Sequence, residues 1–388
     1  MERHIHLIPL FPMKMIRNIL ILCIIFSLTG GLKDPMFAQK ITYNYLIDTS
    51  NIDTKQIMNL FESYIHSKPD SLYDNPYWNS DEKHQYKHFD FLESEFQPSL
   101  YMGFPVHVLS IKLKNGLYEI KAQFSYCQSD GTPYVLCIAN YYAMKENGLY
   151  KLYNALPINR KNWLHTKIRQ IDFYYPPYHV FDTLKVQALN DFANDLCNNL
   201  NVKVIPFEYY MADDFDEIQN LRGIDYYIGM GGEVKPTGRS NNYDKVYAGG
   251  MDENYFHEVF HILIDPHYPD KHQWISEGMA TWLGGSRGES LQWHIIRTDE
   301  YLKKHPEINL NDLLTLKTID KYTDYRYVLG GIIVKKIYEK GGWNSIIAFM
   351  KTGKSDENYY KAIETYLGVK KKDLNTYLRK ELETSSKQ

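Results

Sequence analysis

The sequence reads His257-Glu258-Val259-Phe260-His261 inside an apolar segment, and this stretch decides which fold is expected. On a helix, positions i and i+4 share one face, so both imidazoles can bind one metal ion. Glu258 can then reach a water molecule on that ion. The apolar flanks indicate a buried helix, where unpaired ionisable groups are costly and a metal would pair them. The stretch therefore predicts a zinc hydrolase, with Asp252 or Asn254 as the helix cap.

A second stretch, Trp274-Ile275-Ser276-Glu277-Gly278-Met279-Ala280-Thr281-Trp282, follows at a distance suited to a helix that returns to the first. Glu277 is the natural third metal ligand, and small residues at 278 and 280 let the helices approach closely. The alternative is a first-turn carboxylate that favours the helix dipole by a few tenths of a kcal/mol. We predict one Zn²⁺ per chain with an open position for water. Its predicted ligands are His257, His261 and Glu277.

Together the two stretches resemble the gluzincin metallopeptidases, in which HExxH is followed by a glutamate ligand in a Trp-x-x-Glu-Gly-x-Ala context. The resemblance is to the aminopeptidase-like and peptidase MA-like branches, and it covers the chain from about residue 167 onward. It implies a small sheet whose edge strand binds substrate above the metal helix, with a mostly helical lower lobe. The sequence departs from the family in a shorter spacing between His261 and Glu277, which implies a trimmed loop. Thr281 also stands where the thermolysin-like branch has an aspartate that orients a ligand.

The segment Tyr327-Val328-Leu329-Gly330 opens an apolar helix. It resembles the Tyr-x-x-Gly at which the aminopeptidase branch places its transition-state tyrosine. The resemblance implies that the Tyr327 phenol hydrogen-bonds the oxyanion, a contact whose loss typically costs about 2.7 to 4 kcal/mol. Packing is the alternative role, because the chain holds 34 tyrosines.

Other ionisable residues near the motif are given different roles. Asp265 lies four residues after His261 and is an alternative ligand, but it precedes a proline and is expected to end the metal helix. His267 and His272 lie in an Asp/Pro-rich loop and are expected to be solvated, although they are the next candidates for a third ligand. Glu253 belongs to a Gly-Gly-Met-Asp-Glu-Asn segment that resembles a substrate loop of aminopeptidases. Because this segment directly precedes the metal helix, we interpret Glu253 as a helix-start residue.

The preceding part of the chain has strand periodicity. A helix is predicted for 57–65, and strands are predicted for 106–113, 117–126, 134–142 and 149–156. The full prediction is an α+β fold: an N-terminal antiparallel β-meander domain with a helix (39–165), then a gluzincin-type metallopeptidase domain (166–388) with a small mixed sheet and a mostly helical C-terminal lobe. The second domain is predicted to contain a helix at 185–200, strands at 202–209 and 224–229, and helices near 310–316, 327–339, 344–350, 355–367 and 372–383.

The first 38 residues resemble a signal peptide. Basic Lys14 and Arg17 precede an eight-residue apolar run, 19–26, and small residues follow up to Ala38. A membrane-spanning helix needs roughly 20 apolar residues, so no stable membrane span is expected. We predict an exported protein, periplasmic or extracellular.

Three cysteines follow the export segment, too few for disulfides to be the main stabilising device. Cys127 and Cys137 flank a turn, and they either bridge a hairpin or remain ordinary buried thiols. With a net charge of −3, the chain also lacks the broad basic field that nucleic-acid binding needs.

The main functional hypothesis is an exported zinc metallopeptidase that acts on peptide or protein substrates. In this hypothesis Glu258 is the general base toward a zinc-bound water and Tyr327 stabilises the oxyanion. Two alternatives are a catalytically silent metal-binding or interaction protein on the same fold, and a zinc hydrolase of non-peptide amides or esters. The intact Glu258 favours an enzyme, because a structural zinc site has no need of it.

Overall fold

A computed structural model describes residues 40–67, 75–85, 103–231, 236–241 and 244–387. The protein has a mixed α/β fold with two mixed sheets. The signal peptide predicted for residues 1–38 lies outside the described residues. Within the described ranges, no helix combines the length and apolar character that crossing a membrane requires.

The first sheet packs against helix α1 (Ile52–Ile65), which begins where the Asn51 side chain accepts hydrogen bonds from two backbone amides. Helix α1 directs Ile57, Phe61 and Tyr64 into the core beneath the sheet. The strands predicted between 106 and 156 are present and pair in order as antiparallel neighbours. The elements here are β1 (Ile41–Tyr43), α2 (Ser80–Gln85), β2 (Val106–Lys114), β3 (Leu117–Cys127), β4 (Pro133–Glu146), β5 (Leu149–Tyr153) and α3 (Ala155–Asn159).

Strand β9 (Ile224–Tyr227) also belongs to the first sheet, although it comes from the second half of the chain. It pairs antiparallel with β4 at residues 137–139. Asn140 fixes this pairing, because its backbone amide donates to the Gly223 carbonyl at 2.7 Å and its side chain donates to Asp225 at 2.7 Å. Gly223 has φ +90°, and a Cβ there would lie 2.4 Å from Ala155. The strand predicted at 224–229 is present as β9. It belongs to the first sheet, however, and not to the sheet of the second domain in which it was predicted.

The second sheet has the order β10-β11-β8-β7-β6. Its three central strands are parallel and its two edge strands are antiparallel to their neighbours. The proposed domain boundary at 165/166 falls inside β6, and the strand predicted at 202–209 begins only at residue 207. The strands are β6 (Leu164–Ile168), β7 (Ile171–Tyr175), β8 (Phe207–Ala212), β10 (Thr237–Asn241) and β11 (Lys245–Gly249).

Helices cover this sheet and continue to the end of the described chain, enclosing the larger core. Helix α8 (Leu291–Lys304) was not predicted from the sequence. The two helices predicted at 327–339 and 344–350 are segments of α9 (Tyr325–Met350), separated by non-helical backbone at Gly341 and Gly342. The segment predicted near 310–316 is a 3₁₀ helix, Leu310–Thr315. The helices are α4 (Thr183–Leu200), α5 (Phe215–Leu221), α6 (Phe256–Ile264), α7 (Gln273–Gly284), α8 (Leu291–Lys304), α9 (Tyr325–Met350), α10 (Asp356–Leu367) and α11 (Leu374–Ser385).

The cysteines that the structure describes are free thiols. Cys137 is buried and faces Phe124 across the hairpin, whereas Cys127 is exposed and faces Pro133. The two thiols thus occupy different positions of the strand register. The interpretation of Cys127 and Cys137 as a hairpin disulfide is wrong.

Candidate metal centre

Helix α6 carries the HExxH motif, and every residue from His257 to Ile264 is buried. Tyr209 of β8 holds the segment that leads into this helix. The Tyr209 hydroxyl donates to the Asp252 carbonyl at 2.6 Å and accepts from the Tyr255 amide at 3.0 Å. Tyr255 is the N-cap residue, without a side-chain capping bond. The prediction that Asp252 or Asn254 caps the helix is therefore wrong.

The three predicted metal ligands converge on one point. The Nε2 atoms of His257 and His261 are 3.3 Å apart. The Oε2 atom of Glu277 lies 3.4 Å from the first and 3.5 Å from the second. Within the described ranges, these side chains form a group whose ligand atoms can share one ion.

The shape of this triangle tests whether a zinc ion fits. Zinc bonds to nitrogen and oxygen are about 2.0 to 2.1 Å long, so two corners of a tetrahedral zinc site are about 3.3 to 3.4 Å apart. The observed edges of 3.3, 3.4 and 3.5 Å match one face of such a tetrahedron. The donor set of two imidazoles and one carboxylate also suits zinc.

Each histidine ligand is oriented by a hydrogen bond at its other ring nitrogen. His257 Nδ1 lies 2.6 Å from the Gly285 carbonyl oxygen, and His261 Nδ1 lies 3.0 Å from Asp265 Oδ2. With both Nδ1 atoms as donors, the Nε2 atoms of the neutral rings would be available to a metal at the common point. Such partners typically strengthen metal binding.

Asp265 is thus more than the end of the metal helix. Besides His261, its carboxylate accepts hydrogen bonds from Ser276 Oγ at 3.0 Å and from the buried ammonium of Lys271. The spacing of four residues that makes Asp265 an alternative ligand places it on the ligand face of the helix, where its carboxylate contacts His261 Nδ1 and does not join the ligand triangle. The position where the resemblance expects an orienting aspartate holds Thr281, which is fully buried.

Electrostatics couple the ligands without a metal. Burial alone lowers the pKa of His261, but hydrogen bonds to Asp265 and Glu277 outweigh burial and hold this pKa well above its ordinary value. Burial alone raises the pKa of Glu277, but hydrogen bonds from His257 and His261 hold it well below. A proton on His261 thus stabilises the anionic Glu277, and a bound cation can take over that role.

Two glycines bring the helices of the site together. Gly284 ends α7 against α6, and a Cβ there would lie 2.5 Å from the His257 backbone nitrogen. Gly278 was expected to bring α7 close to the metal helix, but it packs on Gly330 of α9 instead. Glycine at 278 therefore allows α9, the helix that carries Tyr327, to pack closely against α7.

A cavity of about 780 Å³ opens over the ligands. Glu258 and Tyr327 line it, together with Gly238, Arg239 and Ser240 of edge strand β10. The Tyr327 ring lies 5.8 Å from the His257 ring, centroid to centroid, in a T-shaped arrangement. Burial raises the pKa of Tyr327 to about 12, so its phenol stays protonated and able to donate at neutral pH. The structure thus brings both predicted catalytic side chains to the cavity that holds the ligands.

The remaining candidates do not join the ligand triangle, although His272 lines the same cavity. His267 is exposed, as expected. His272 was expected to be solvated, which is wrong: it is buried, its Nδ1 accepts from the Trp274 amide at 3.2 Å, and it caps α7. Glu253 is buried away from this cavity, 2.8 Å from His179 Nε2, and it accepts the Asp182 amide at the start of α4.

Comparison with protein-family models and with curated proteins finds no match to this sequence.

Proposed function

We propose that this protein is an exported zinc-dependent metallopeptidase of the gluzincin type, which hydrolyses peptide bonds. The observation that carries the proposal is the triangle of ligand atoms, whose edges of 3.3 to 3.5 Å fit a tetrahedral zinc site. His257, His261 and Glu277 would hold the ion. When bound, zinc supplies Lewis acidity and lowers the pKa of a coordinated water toward about 7.

The chain's own groups perform the proton transfers. Glu258, one residue beyond the first ligand, lines the cavity. Its carboxylate takes a proton from the attacking water and delivers it to the leaving amine, as a general base and then a general acid. Tyr327, protonated because its pKa is about 12, donates a hydrogen bond to the oxygen of the attacked carbonyl.

Edge strand β10 offers the surface for a peptide substrate. Three of its residues line the cavity, and among the described strands β10 is the last in its sheet, paired on one side with β11. An extended peptide can add to such an edge through backbone hydrogen bonds. In this proposal the first sheet with α1 forms an accessory unit, and export follows from the signal-peptide pattern of residues 1–38.

The test combines metal analysis with a peptide-library digest of the purified mature protein. We expect about one zinc per chain, lost in a His257→Ala, His261→Ala double variant. Glu258→Gln should retain zinc and fold but lose activity by about 10²- to 10⁴-fold, because Gln keeps the shape of Glu without its basicity.

The variants also discriminate between the alternatives. Tyr327→Phe should lower kcat by a smaller factor than Glu258→Gln while leaving KM nearly unchanged. If wild type and Glu258→Gln both bind zinc but are equally inert on peptides and esters, the protein is a silent metal-binding scaffold. Cleavage of esters alone would indicate a non-peptide hydrolase. Absence of zinc after reconstitution would refute the proposal.

A further inference from the structure

The turn after helix α7 connects the metal centre to edge strand β10. It consists of Gly285, Ser286, Arg287, Gly288 and Glu289. Ser286 and Glu289 exchange backbone hydrogen bonds of 2.8 and 3.0 Å. We call these five residues the α7–α8 turn.

The backbone of this turn is strained at Arg287. Arg287 has φ +54° and Gly288 has φ +80°, as in a type I′ turn, whose central positions favour Asn and Gly. A long side chain in the left-handed region is unfavourable, and the contacts of this side chain offset part of that cost. The side chain at 287 is therefore the feature to explain.

The Arg287 side chain contacts the first residue of β10. Its guanidinium donates to the Thr237 hydroxyl, which lies directly before Gly238 in the cavity wall. The neighbouring Gly288 lies against Pro236: a Cβ placed on Gly288 would be 3.3 Å from Pro236 Cγ. The turn thus contacts the start of the edge strand at both Pro236 and Thr237.

The other end of the turn contacts the metal centre. The Gly285 carbonyl accepts the His257 Nδ1 hydrogen bond at 2.6 Å. The buried His294 anchors the turn, with its Nε2 3.0 Å from the Ser286 carbonyl oxygen. The same five residues therefore contact both a metal ligand and the strand that would carry the substrate.

We propose that Arg287 is a positioning residue that holds edge strand β10 in register with the metal ligands. This inference rests on the proposed peptidase function, in which β10 binds the substrate. Arg287 acts through Thr237, so its loss weakens substrate binding more than the chemical step.

Arg287→Gly tests the proposal, because glycine removes the guanidinium and relieves the positive φ. Arg169→Gly is the matched control: Arg169 is exposed, also has φ +54°, and lies in the β6–β7 turn at the opposite edge of the sheet. Arg169→Gly should keep or raise Tm, whereas in Arg287→Gly the relieved φ offsets only part of the lost hydrogen bond, so its Tm should fall slightly while the variant still folds. Only Arg287→Gly should speed hydrogen exchange in residues 237–241, by about tenfold, the size expected for one lost charged hydrogen bond.

Activity provides the second measurement. On a peptide that the wild type cleaves, Arg287→Gly should raise KM about tenfold with kcat nearly unchanged, and Arg169→Gly should change neither. If hydrogen exchange in 237–241 is the same in Arg287→Gly and wild type, the proposal is refuted. If the wild type cleaves no peptide, the peptidase function fails, while the exchange comparison still decides whether Arg287 holds the strand.

Discussion

Gly278 of α7 and Gly330 of α9 pack backbone against backbone: a Cβ placed on Gly278 would lie 2.4 Å from the Gly330 carbonyl carbon. Gly278 directly follows Glu277, and Gly330 lies one turn after Tyr327. This contact therefore sets the distance between the third ligand and the proposed oxyanion donor.

Substitution of Gly278 by alanine should destabilise the protein. The added methyl group meets backbone atoms that cannot move independently, and such overpacking typically costs about 1 to 3 kcal/mol. Denaturant unfolding of Gly278→Ala measures the loss. Gly331→Ala is the control, since a Cβ there meets the Leu291 side chain, which can shift. Equal losses in both variants would show that the backbone contact is not limiting.

Asp265→Asn should weaken zinc binding by about 10- to 100-fold, because one amide oxygen cannot replace both carboxylate oxygens that His261, Ser276 and Lys271 use. A chelator competition titration measures the affinity. Thr281→Val is the control: among the described residues the buried Thr281 hydroxyl has no hydrogen-bond partner, so its removal should leave the affinity unchanged. Wild-type affinity in Asp265→Asn would exclude Asp265 from orienting His261.

Glu82 should make stability depend on pH. It is buried in α2, where burial raises its pKa to about 7, although hydrogen bonds from Asn154 oppose the rise. A carboxyl whose folded pKa is raised binds more protons folded than unfolded. Its contribution therefore favours the folded state at low pH and is lost as pH rises from about 4.5 through 7, by at most about 3 kcal/mol.

Thermal unfolding of Glu82→Gln between pH 4 and 8 tests this dependence. The amide oxygen can still accept from Asn154, and the variant should gain Tm relative to wild type above pH 7. Asp48→Asn, a fully exposed control, should leave the wild-type slope between pH 5 and 7 unchanged. Parallel curves for Glu82→Gln and wild type would contradict the assignment.

Thiol reactivity should separate the three described cysteines. Cys127 is exposed, whereas burial raises the pKa of Cys137 and raises that of Cys197 to about 11. A thiol reagent should therefore label Cys127 first in the native protein, as peptide mapping would show, and reductant should not change Tm. A drop in Tm on reduction would indicate a disulfide after all.

The convergence of the three predicted ligands could be anticipated from the sequence because their geometry is local. His257 and His261 share a helix face by spacing alone, and Glu277 sits on the next helix. The groups that orient them were missed for two different reasons. The spacing of Asp265 from His261 indicated an alternative ligand and not an orienting group, whereas the carbonyl of Gly285 is a backbone atom that any residue supplies.

Strand prediction succeeded where neighbours in sequence are also neighbours in the sheet, as from β2 to β5. It failed for β10, which is rich in Gly, Ser and Asn, and for the five-residue β11, whose partner β8 is distant in sequence. The short β6–β7 hairpin was also missed. Helix α8 was missed because its apolar positions, such as Leu291, Ile295 and Leu302, are widely spaced among polar residues.

The pairing of β9 with β4 has a consequence for biosynthesis. Strands β1 to β5 are synthesised before β9. Until β9 leaves the ribosome, residues 137–139 of β4 are paired with β3 on one side and have no partner strand on the other. An uncovered strand edge is a template for addition of another chain. The pairing of β9 therefore closes an edge that would otherwise stay open to self-association.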